Sequence, residues 1–476
     1  MINPGIFREY DIRGIAEHDL TSSSVRELGR GFAAFIRPKH ITTVAVGYDA
    51  RLSSPRIRDA FIEGLVQSGM TVTDLGLCPT PALYFSLYHD SHGAGVMITG
   101  SHNPPEYNGF KLCVGKDTIH GEDIQDLRRL IEANGNDAKQ SIGKEGSVSR
   151  KSILPEYINY LKSKFPINHH VPLKVVLDAG NGTAGLAAPE IMRDMGCEVV
   201  ELYSEPDGSF PNHHPDPTVP KNLATLIAAV KKTGAALGIS FDGDADRIGV
   251  VDEKGSILWG DQLMVIFARD ILRDLPGATF VSEVKCSQTM YDDIRKHGGN
   301  AIMWKTGHSL IKAKMKEVHA SLAGEMSGHL FFADRYYGYD DAIYAACRIV
   351  EILKKGKLAA NSGTLSMLLA DLPKTYNTPE IRFDCPDDLK FKVVEQAKKL
   401  FSEGTNIPIK LREVITVDGV RAIFDKGWGL IRASNTQPVL VMRFEAQDEV
   451  SLDAIKTMME QQVEKIIKAI RSSGAQ

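Results

Sequence analysis

The sequence lacks the features that would mark a disulfide-rich, membrane-spanning or nucleic-acid-binding protein. Its six cysteines are scattered and include no C-x-x-C pair, which favours reduced thiols in a cytoplasmic protein over a disulfide framework or a zinc site. No run of about 18 apolar residues occurs, so no membrane-spanning helix is expected, and the first ten residues contain no apolar signal core. The formal net charge of −4 gives no electrostatic reason to expect binding to nucleic acid or to an anionic membrane.

What is present is an ordinary globular composition in a long chain. Hydrophobic residues make up 43% of the sequence and charged residues 24%, which is typical of soluble domains. A chain of 476 residues is too long for one hydrophobic core, so roughly three or four domains are expected.

Strand and helix patterns alternate through the first three quarters of the chain, which indicates βαβ units and largely parallel sheets. A strand of small apolar residues ends in a polar loop three times, at 94–98, 237–241 and 320–323, and a second strand-like run follows each loop. We interpret these as three related α/β repeats that each contribute one loop to a shared cleft, because ligands gather at the carboxyl ends of parallel strands. The last hundred residues contain short strands and two helices, which predicts an α+β domain with antiparallel strands.

The loop after the first of these strands carries a serine that is suited to nucleophilic catalysis. Gly100 ends the strand, and Ser101 and His102 follow it. Pro104 and Pro105 cannot continue a sheet ladder, so the turn is stiff and projects Ser101 from the end of the strand. A small hydroxyl on a rigid loop beside an imidazole is typical of a nucleophile, although an ordinary polar turn has the same composition.

Three aspartates alternate in the loop after the second strand. Asp242, Asp244 and Asp246 can converge, and three carboxylates without a nearby thiol or imidazole suit a hard cation such as Mg²⁺. A calcium loop is a rival, since Glu253 stands twelfth counting from Asp242, but Arg247 occupies the sixth position, where that loop needs glycine. A solvated acidic turn, or a phosphatase with an aspartate nucleophile, also fits the triplet taken alone.

The serine loop and the aspartate triplet are chemically complementary. A serine phosphorylated beside bound Mg²⁺ would supply a phosphate oxygen to the three carboxylates, and the cation would neutralise the phosphoryl group. Arg247, directly after the triplet, could hold a phosphoryl oxygen or balance charge.

The loop after the third strand carries Glu325, Ser327 and His329 at a spacing of two, which places them on one side of an extended loop. A carboxylate and a hydroxyl side by side suit the vicinal hydroxyls of a sugar. His329 could act as an acid or a base because its reference pKa is close to neutral. Lys285 and the turn at 305–309 fall between the second and third loops and could line the same cleft.

Two further stretches carry groups that suit an anion. The opening at 7–14 contains two arginines and a tyrosine, and it is either a solvated loop or a segment that reaches over an anionic site. The C-terminal turn at 432–438 is rich in donors and suited to holding a phosphate, although a plain hairpin turn is equally compatible with it.

Together these loops resemble the α-D-phosphohexomutase superfamily, and most of all its bacterial phosphomannomutase/phosphoglucomutase branch. Four motifs occur in the order of the superfamily: TGSHNP at 99–104, DGDADR at 242–247, GEMSGH at 324–329 and RASNT at 432–436. The resemblance covers essentially the whole chain, including the 7–14 opening and the 305–309 turn.

The resemblance implies a fold of four domains around a central cleft. Three are related α/β domains with mixed sheets, and the fourth is a C-terminal α+β domain that closes over the ligand. We predict these domains at residues 1–150, 151–253, 254–367 and 368–476, which carry in turn the phosphoserine loop, the metal loop, the sugar-binding loop and the phosphate-binding loop.

The resemblance also implies roles for individual side chains. Mg²⁺ would be held by Asp242, Asp244, Asp246 and a phosphate oxygen on Ser101. The catalytic group would be Ser101, His102, Lys111, Arg247 and His329. The substrate-binding group would be Tyr10, Arg13, Lys285, His308, Glu325, Ser327, Arg432, Ser434, Asn435 and Thr436. Lys111 and His329 are both candidates for proton transfer, and the sequence does not decide between them.

The implied reaction interconverts hexose 1-phosphate and 6-phosphate. Phosphoserine donates its phosphoryl group to the sugar phosphate, the resulting 1,6-bisphosphate turns around, and its other phosphate returns to Ser101. Glucose 1,6-bisphosphate is therefore the expected activator, hexose phosphates are the expected partners, and the expected state is a monomer or weak homodimer.

The expected substrates are glucose and mannose phosphates. The Glu-Met-Ser-Gly-His loop resembles the glucose/mannose type, and a loop that contacts mainly O3 and O4, which the two sugars share, would accept both. Phosphoglucosamine mutase is the nearest alternative. A non-catalytic sugar-phosphate-binding protein and a Mg²⁺-dependent phosphatase are alternatives of other classes.

Overall fold

The computed structural model describes residues 2–134, 145–166, 171–358, 363–404, 407–434 and 438–473. Within these residues the strands form four sheets that follow one another along the chain. The three α/β units and the C-terminal α+β unit expected from the sequence are confirmed. All six cysteines are buried and unpaired, and no helix in the described ranges is long and apolar enough to span a membrane.

The first unit is a seven-stranded mixed sheet flanked by helices. Its strands are β1 (Ile12–Ile15), β2 (Thr43–Tyr48), β3 (Thr71–Leu77), β4 (Ala94–Ile98), β5 (Tyr107–Val114), β6 (Asp117–Thr118) and β7 (Ser147–Arg150). Its helices are α1 (Ser22–Ile36), α2 (Ser54–Gln67), α3 (Thr80–His89) and α4 (Glu122–Asn134). The strand order is β1-β5-β4-β2-β3-β7, with β6 beside β5. β4, β2, β3 and β7 run parallel, whereas β5 returns antiparallel to β4.

Local sequence accounts for the helices of this unit, as α1 illustrates. The Thr21 side chain accepts a hydrogen bond from the Ser24 N–H and caps the first turn. Val25, Leu28 and Phe32 recur at helical spacing, and all are buried in the hydrophobic core of the unit.

The second unit repeats the plan with five strands. Its elements are α5 (Leu154–Lys164), β8 (Leu173–Asp178), α6 (Ala188–Asp194), β9 (Cys197–Leu202), α7 (Ala224–Thr233), β10 (Leu237–Phe241), β11 (Ile248–Asp252) and β12 (Ile257–Leu258). The order is β12-β11-β10-β8-β9. β10, β8 and β9 are parallel, and β11 returns antiparallel to β10.

The third unit repeats it again with four strands. Its elements are α8 (Gly260–Asp274), β13 (Thr279–Glu283), α9 (Gln288–Lys296), β14 (Asn300–Trp304), α10 (His308–Glu317), β15 (Leu322–Gly324), β16 (Leu330–Phe332) and α11 (Ala342–Leu358). The order is β14-β13-β15-β16, in which the first three strands are parallel and β16 is antiparallel.

The three units therefore place equivalent loops at equivalent positions. In each, a parallel strand whose residues are all buried leads into a polar loop, and an antiparallel strand follows. The pairs are β4 and β5, β10 and β11, and β15 and β16. This is the recurrence that the sequence predicted, and it points three polar loops out of the carboxyl ends of parallel strands.

The C-terminal unit is an antiparallel sheet covered by two helices. Its elements are β17 (Tyr376–Asn377), β18 (Ile381–Asp384), α12 (Asp387–Glu403), β19 (Leu411–Ile415), β20 (Val420–Phe424), β21 (Gly427–Ala433), β22 (Val439–Ala446) and α13 (Glu449–Ser473). The order is β17-β22-β21-β20-β19, with β18 also beside β22. A separate hydrophobic core lies between this sheet and the two helices.

Two buried arginines attach the C-terminal sheet to the third unit. Arg421 on β20 donates to the carbonyls of Val284 at 2.6 Å and Cys286 at 2.7 Å. Its guanidinium lies 3.7 Å from the centre of the Trp428 ring, and burial lowers its pKa to about 10. Arg443 on β22 donates to the intervening carbonyl of Lys285. Three consecutive carbonyls of the third unit are thus bound by the C-terminal unit.

We expect Arg421→Gln to lower the free energy of unfolding by about 3 kcal/mol, because it leaves buried carbonyls without their charged donors. Urea unfolding followed by tryptophan fluorescence measures this change. Arg412→Gln is the matched control, because Arg412 forms an exposed ion pair with Asp425 on the same sheet, and its loss should cost less than about 1 kcal/mol. Equal losses in the two variants would contradict the anchoring role of Arg421.

Candidate active site

The polar loops and the C-terminal unit line one cavity of about 790 Å³. Most of the predicted site residues face it: Tyr10, Arg13, Ser101, His102, Lys111, Arg247, Lys285, His308, Glu325, Ser327, His329, Arg432 and Ser434. Asp242, Asp244 and Asp246 are fully buried behind its wall. Asn435 and Thr436 lie outside the described residues.

Ser101 lies on a strained turn at the end of β4. Its φ of 47° is in the left-handed region, which a side chain other than glycine seldom adopts without a constraint from its surroundings. The hydroxyl donates to Asp242 Oδ2 at 2.7 Å and lies 3.0 Å from His102 Nδ1. Burial, and then the charges of Arg247 and Arg13, lower the pKa of His102 well below its ordinary value. The serine hydroxyl is therefore placed between a neutral imidazole and a carboxylate.

A buried pair, Asp49 and Arg51, holds this turn in shape. Asp49 Oδ2 accepts from the Thr99 hydroxyl at 2.9 Å and from the Gly100 N–H at 3.0 Å. Arg51 donates to the Ser101 carbonyl at 2.8 Å. A Cβ on Gly100 would lie 2.2 Å from the Arg51 side chain, so the turn requires glycine there. Arg51 stands in none of the motifs that sequence reasoning singled out, so its role at this turn was not predicted.

The three aspartates converge as predicted. Their carboxylate oxygens lie within 4.8 Å of one another. Burial, and then the charges of Asp244 and Asp246, raise the pKa of Asp242 well above its ordinary value. Asp244 Oδ1 and Asp246 Oδ1 are buried without a hydrogen-bond partner, which is costly unless a cation is present. All three ligands are oxygen, so the site fits a hard divalent cation.

The burial and contacts of this loop argue against two of its alternative interpretations, a solvated acidic turn and a calcium loop. None of the three carboxylates is solvated, which excludes a solvated acidic turn. Glu253, the twelfth residue of the supposed calcium loop, instead accepts from the Ser366 hydroxyl at 2.5 Å. It is therefore engaged elsewhere, and the calcium-loop interpretation does not hold.

Lys111 on β5 lies against the triplet. Its ammonium donates to Asp244 Oδ2 at 2.6 Å and to Asp246 Oδ2. Burial alone would lower the pKa of Lys111, but the two carboxylates raise it above its ordinary value. Lys111 is therefore a cation that balances the charge of the aspartates. It binds the Oδ2 atoms of Asp244 and Asp246 and leaves their Oδ1 atoms without a hydrogen-bond partner among the described residues.

His329, in the polar loop of the third unit, lies against the loop that carries the three aspartates, where its backbone pairs with Arg247. Its Nε2 accepts a hydrogen bond from Arg247 Nε at 2.9 Å. The ring of His308 stacks on it at a centroid distance of 5.5 Å, and burial lowers the pKa of His308 well below its ordinary value. His329 is thus held in a fixed orientation at the cavity wall.

Glu325 and Ser327 lie together on the third loop. Ser327 Oγ is 3.4 Å from Glu325 Oε2, and Glu325 Oε1 accepts from the Gly307 N–H at 2.6 Å. The Tyr10 hydroxyl donates to the carbonyl of Thr306 at 2.8 Å. The N-terminal stretch therefore reaches the cleft and is not merely a solvated loop.

Cations gather where the C-terminal unit meets the cavity. Lys285 Nζ lies 3.2 Å from Glu380 Oε2, and Arg432 Nε donates to Asp418 Oδ2 at 3.0 Å. The charge of Glu283, followed by that of Glu380, raises the pKa of Lys285 although burial opposes it. This wall combines several positive charges with hydrogen-bond donors, which suits a phosphate.

Sequence reasoning missed several residues that line the cavity. They are Asp216, Trp259, Glu380, Arg382 and Arg443. Arg8 and Thr306 also line it, and they lie in the 7–14 and 305–309 stretches that the sequence indicated as possible cleft segments. Arg382 and Arg443 alternate with apolar neighbours on strands, a pattern that assigns charged residues to solvent.

The fold and the site define a class of proteins: multidomain α/β enzymes with a serine hydroxyl beside a carboxylate triplet in a cation-lined cleft. Comparison with known sequences identifies the family. Models of alpha/beta/alpha domains I, II and III of phosphoglucomutase/phosphomannomutase match residues 4–138, 155–255 and 259–376, and the model of the C-terminal domain matches 380–462. The chain belongs to the phosphoglucomutase/phosphomannomutase family.

Individual relatives agree with this assignment. A phosphomannomutase/phosphoglucomutase from Pseudomonas aeruginosa is 45% identical over 470 residues, covering 98% of this chain and 96% of the relative. A phosphoglucomutase from Neisseria meningitidis serogroup A is 44% identical over 461 residues, covering 96% of each. The crystal structure of a phosphoglucomutase/phosphomannomutase family protein from Burkholderia thailandensis matches with a TM-score of 0.89 at 39% identity, covering 98% of each chain. The family resemblance seen in the motifs is confirmed.

Proposed function

We propose that this chain is a phosphohexomutase that interconverts the 1-phosphates and 6-phosphates of mannose and glucose. The reaction passes through a phosphoserine at Ser101 and a hexose 1,6-bisphosphate. The observation that carries the proposal is the Ser101 hydroxyl, which lies 2.7 Å from Asp242 in the same cavity as Lys285 and Arg432. A reaction at either end of one sugar needs a phosphoryl carrier for one phosphate and a separate anion site that holds the other, and this cleft contains groups suited to both.

Mg²⁺ is the proposed cofactor. Asp242, Asp244 and Asp246 would hold it together with an oxygen of the Ser101 phosphate, and the unpartnered oxygens of Asp244 and Asp246 support this assignment. When bound, it would offset the negative charge that builds up on the transferred phosphoryl group.

The other residues divide into transfer and binding roles. Arg247 and Arg13 would neutralise the phosphoryl group at Ser101, with His102 beside its oxygen. Glu325 and Ser327 would bind adjacent sugar hydroxyls. The remaining residues of the predicted binding group, which are Tyr10, Lys285, His308, Arg432, Ser434, Asn435 and Thr436, would hold the sugar and the phosphate that is not transferred.

Of the two candidates for proton transfer, we favour His329. Lys111 donates to two carboxylates that raise its pKa, so it is poorly suited to accept a proton. We assign charge balance to Lys111 and proton transfer at a sugar hydroxyl to His329.

The proposed sugar range includes both epimers. One relative is named for mannose and glucose and another for glucose alone, at nearly equal identity, so overall identity does not decide the sugar. In this proposal Glu325 and Ser327 would bind O3 and O4, which the two sugars share. Phosphoglucosamine mutase remains the alternative. The proposal also includes the domain limits given above, a cytoplasmic location, a monomer or weak homodimer, and activation by glucose 1,6-bisphosphate.

The test is a ³¹P NMR assay with Mg²⁺, a trace of glucose 1,6-bisphosphate, and mannose, glucose or glucosamine 1-phosphate in parallel. We expect mannose and glucose 6-phosphates to form at least about 100-fold faster than inorganic phosphate, because a closed site excludes water. Inorganic phosphate as the main product would instead identify a phosphatase. Binding without turnover would identify a binding protein, and faster turnover of glucosamine phosphate would favour the alternative mutase.

A further inference from the structure

His329 has a second buried neighbour, the carboxylate of Asp340, at its other ring nitrogen. While Nε2 accepts from Arg247, Nδ1 lies 3.0 Å from Asp340 Oδ2 and 3.6 Å from Asp246 Oδ1. His329 is 2% exposed and Asp340 is fully buried. The two ring nitrogens therefore face opposite kinds of group, a donor at Nε2 and carboxylates at Nδ1.

Asp340 itself does not line the cavity. It stands in the segment between β16 and α11, where its backbone pairs with Phe331. Its other oxygen, Oδ1, lies 3.2 Å from Lys312 Nζ. Lys312 and His329 together lower the pKa of Asp340 well below its ordinary value although burial opposes them. Asp340 is thus an ionised carboxylate fixed from two sides.

These contacts favour a proton on Nδ1 of His329, because Asp340 Oδ2 lies 3.0 Å away and neither atom has another hydrogen-bond partner in the described part of the chain. A carboxylate at Nδ1 favours the tautomer that is protonated there, as second partners of functional histidines commonly do. Nε2 is then the nitrogen with a lone pair, and the donor at Arg247 requires the same arrangement. The two neighbours agree, so the ring has one favoured tautomer and one favoured orientation.

We infer that Asp340 is a positioning residue for His329, which keeps Nδ1 protonated and leaves the lone pair needed for proton transfer on Nε2, where Arg247 donates in this structure. This inference rests on the proposed function, in which His329 moves a proton at a sugar hydroxyl. Asp340 acts only through the histidine and does not touch the substrate.

Replacement of Asp340 by asparagine tests the inference by kinetics at a fixed neutral pH. The amide offers no charge to Nδ1–H and can donate to Nδ1, which favours the other tautomer. We expect kcat to fall about 100-fold, the lower range for loss of acid–base catalysis, while KM stays within about threefold because no substrate contact is removed.

A double-mutant cycle separates positioning from general damage to the fold. If Asp340 acts through His329, then Asp340→Asn combined with His329→Gln should be no slower than His329→Gln alone. Multiplied losses in the double variant would overturn the inference. If His329→Gln has wild-type kcat, the proposed role of His329 in proton transfer is wrong, and the inference about Asp340 is wrong with it. The proposed mutase function is tested separately, by the activity of the wild-type enzyme.

Lys312→Met is the matched control, since it removes the other partner of Asp340 and leaves the contact with His329. We expect its kcat to stay within about threefold of wild type. A loss as large as that of Asp340→Asn would mean that the ion pair matters rather than the histidine.

A readout that needs no turnover comes from ¹⁵N NMR of histidine-labelled protein, in which the His329 signal is identified by its absence in His329→Gln. We expect wild-type His329 to show a protonated Nδ1 and an unprotonated Nε2, and Asp340→Asn to shift toward the reverse. A wild-type ring protonated at Nε2 would overturn the inference even if the Asp340 variant fails to fold.

Discussion

An enzyme with alanine at position 101 is expected to lose mutase activity, with kcat lower by at least about 10⁴-fold. The proposed reaction needs an oxygen nucleophile at the end of β4, where the hydroxyl of Ser101 lies 2.7 Å from Asp242 Oδ2 and 3.0 Å from His102 Nδ1. Without it, the phosphoryl group has no carrier between the two ends of the sugar. Binding should survive, because the cations that line the cavity are untouched.

Intact mass spectrometry measures the covalent step directly. After incubation with glucose 1,6-bisphosphate and Mg²⁺, wild-type protein should gain one phosphoryl group of about 80 Da, and Ser101→Ala should gain none. Ser91→Ala is the control, because Ser91 also has a left-handed backbone, with φ of 58°, but is exposed outside the cleft. A phosphoryl gain on the Ser101 variant would instead indicate an aspartate nucleophile.

The parts of the site that sequence reasoning found share a local signal. Ser101, the aspartate triplet and Glu325 each follow a strand of small apolar residues, and such strands are buried in parallel sheets. Each of these strands ends at the carboxyl edge of its own sheet, where ligands gather. The three edges meet only because the three units pack around one cleft, which the local pattern does not show. The order of the motifs along the chain, rather than any single one, allowed the family to be recognised.

The parts that it missed depend on contacts between distant segments. Asp49 and Arg51 support the serine turn only because β2 lies beside β4 in the sheet, a neighbourhood that the chain order does not reveal. Asp340 stands in a loop without a motif, and its role can be inferred only from its distance to His329 in the folded chain. Arg421 and Arg443 alternate with apolar residues, so their pattern predicts exposure, whereas they are buried against another unit.

Removal of the divalent cation is expected to abolish turnover reversibly, with a loss of at least about 10³-fold, because it leaves phosphoryl charge unneutralised. Asp242, Asp244 and Asp246 are fully buried, and the single charge of Lys111 is bound to only two of them, Asp244 and Asp246. Activity after chelation, and after Mg²⁺ is restored, measures the effect. Full activity in excess chelator would remove Mg²⁺ from the proposal.

The same triplet should make the stability of the protein depend on Mg²⁺. A cation that binds only the folded state raises the thermal midpoint as its concentration rises, and relief of repulsion among buried carboxylates adds to this. We expect wild type to show that rise, and Asp244→Asn to lose most of it together with about 10³-fold in kcat. Asp252→Asn is the matched control, because Asp252 is a buried aspartate of the same unit whose Oδ1 accepts from the Ser256 N–H at 2.7 Å. It should lower the midpoint while leaving the response to Mg²⁺ intact, and an unchanged response in Asp244→Asn would show that the cation binds elsewhere.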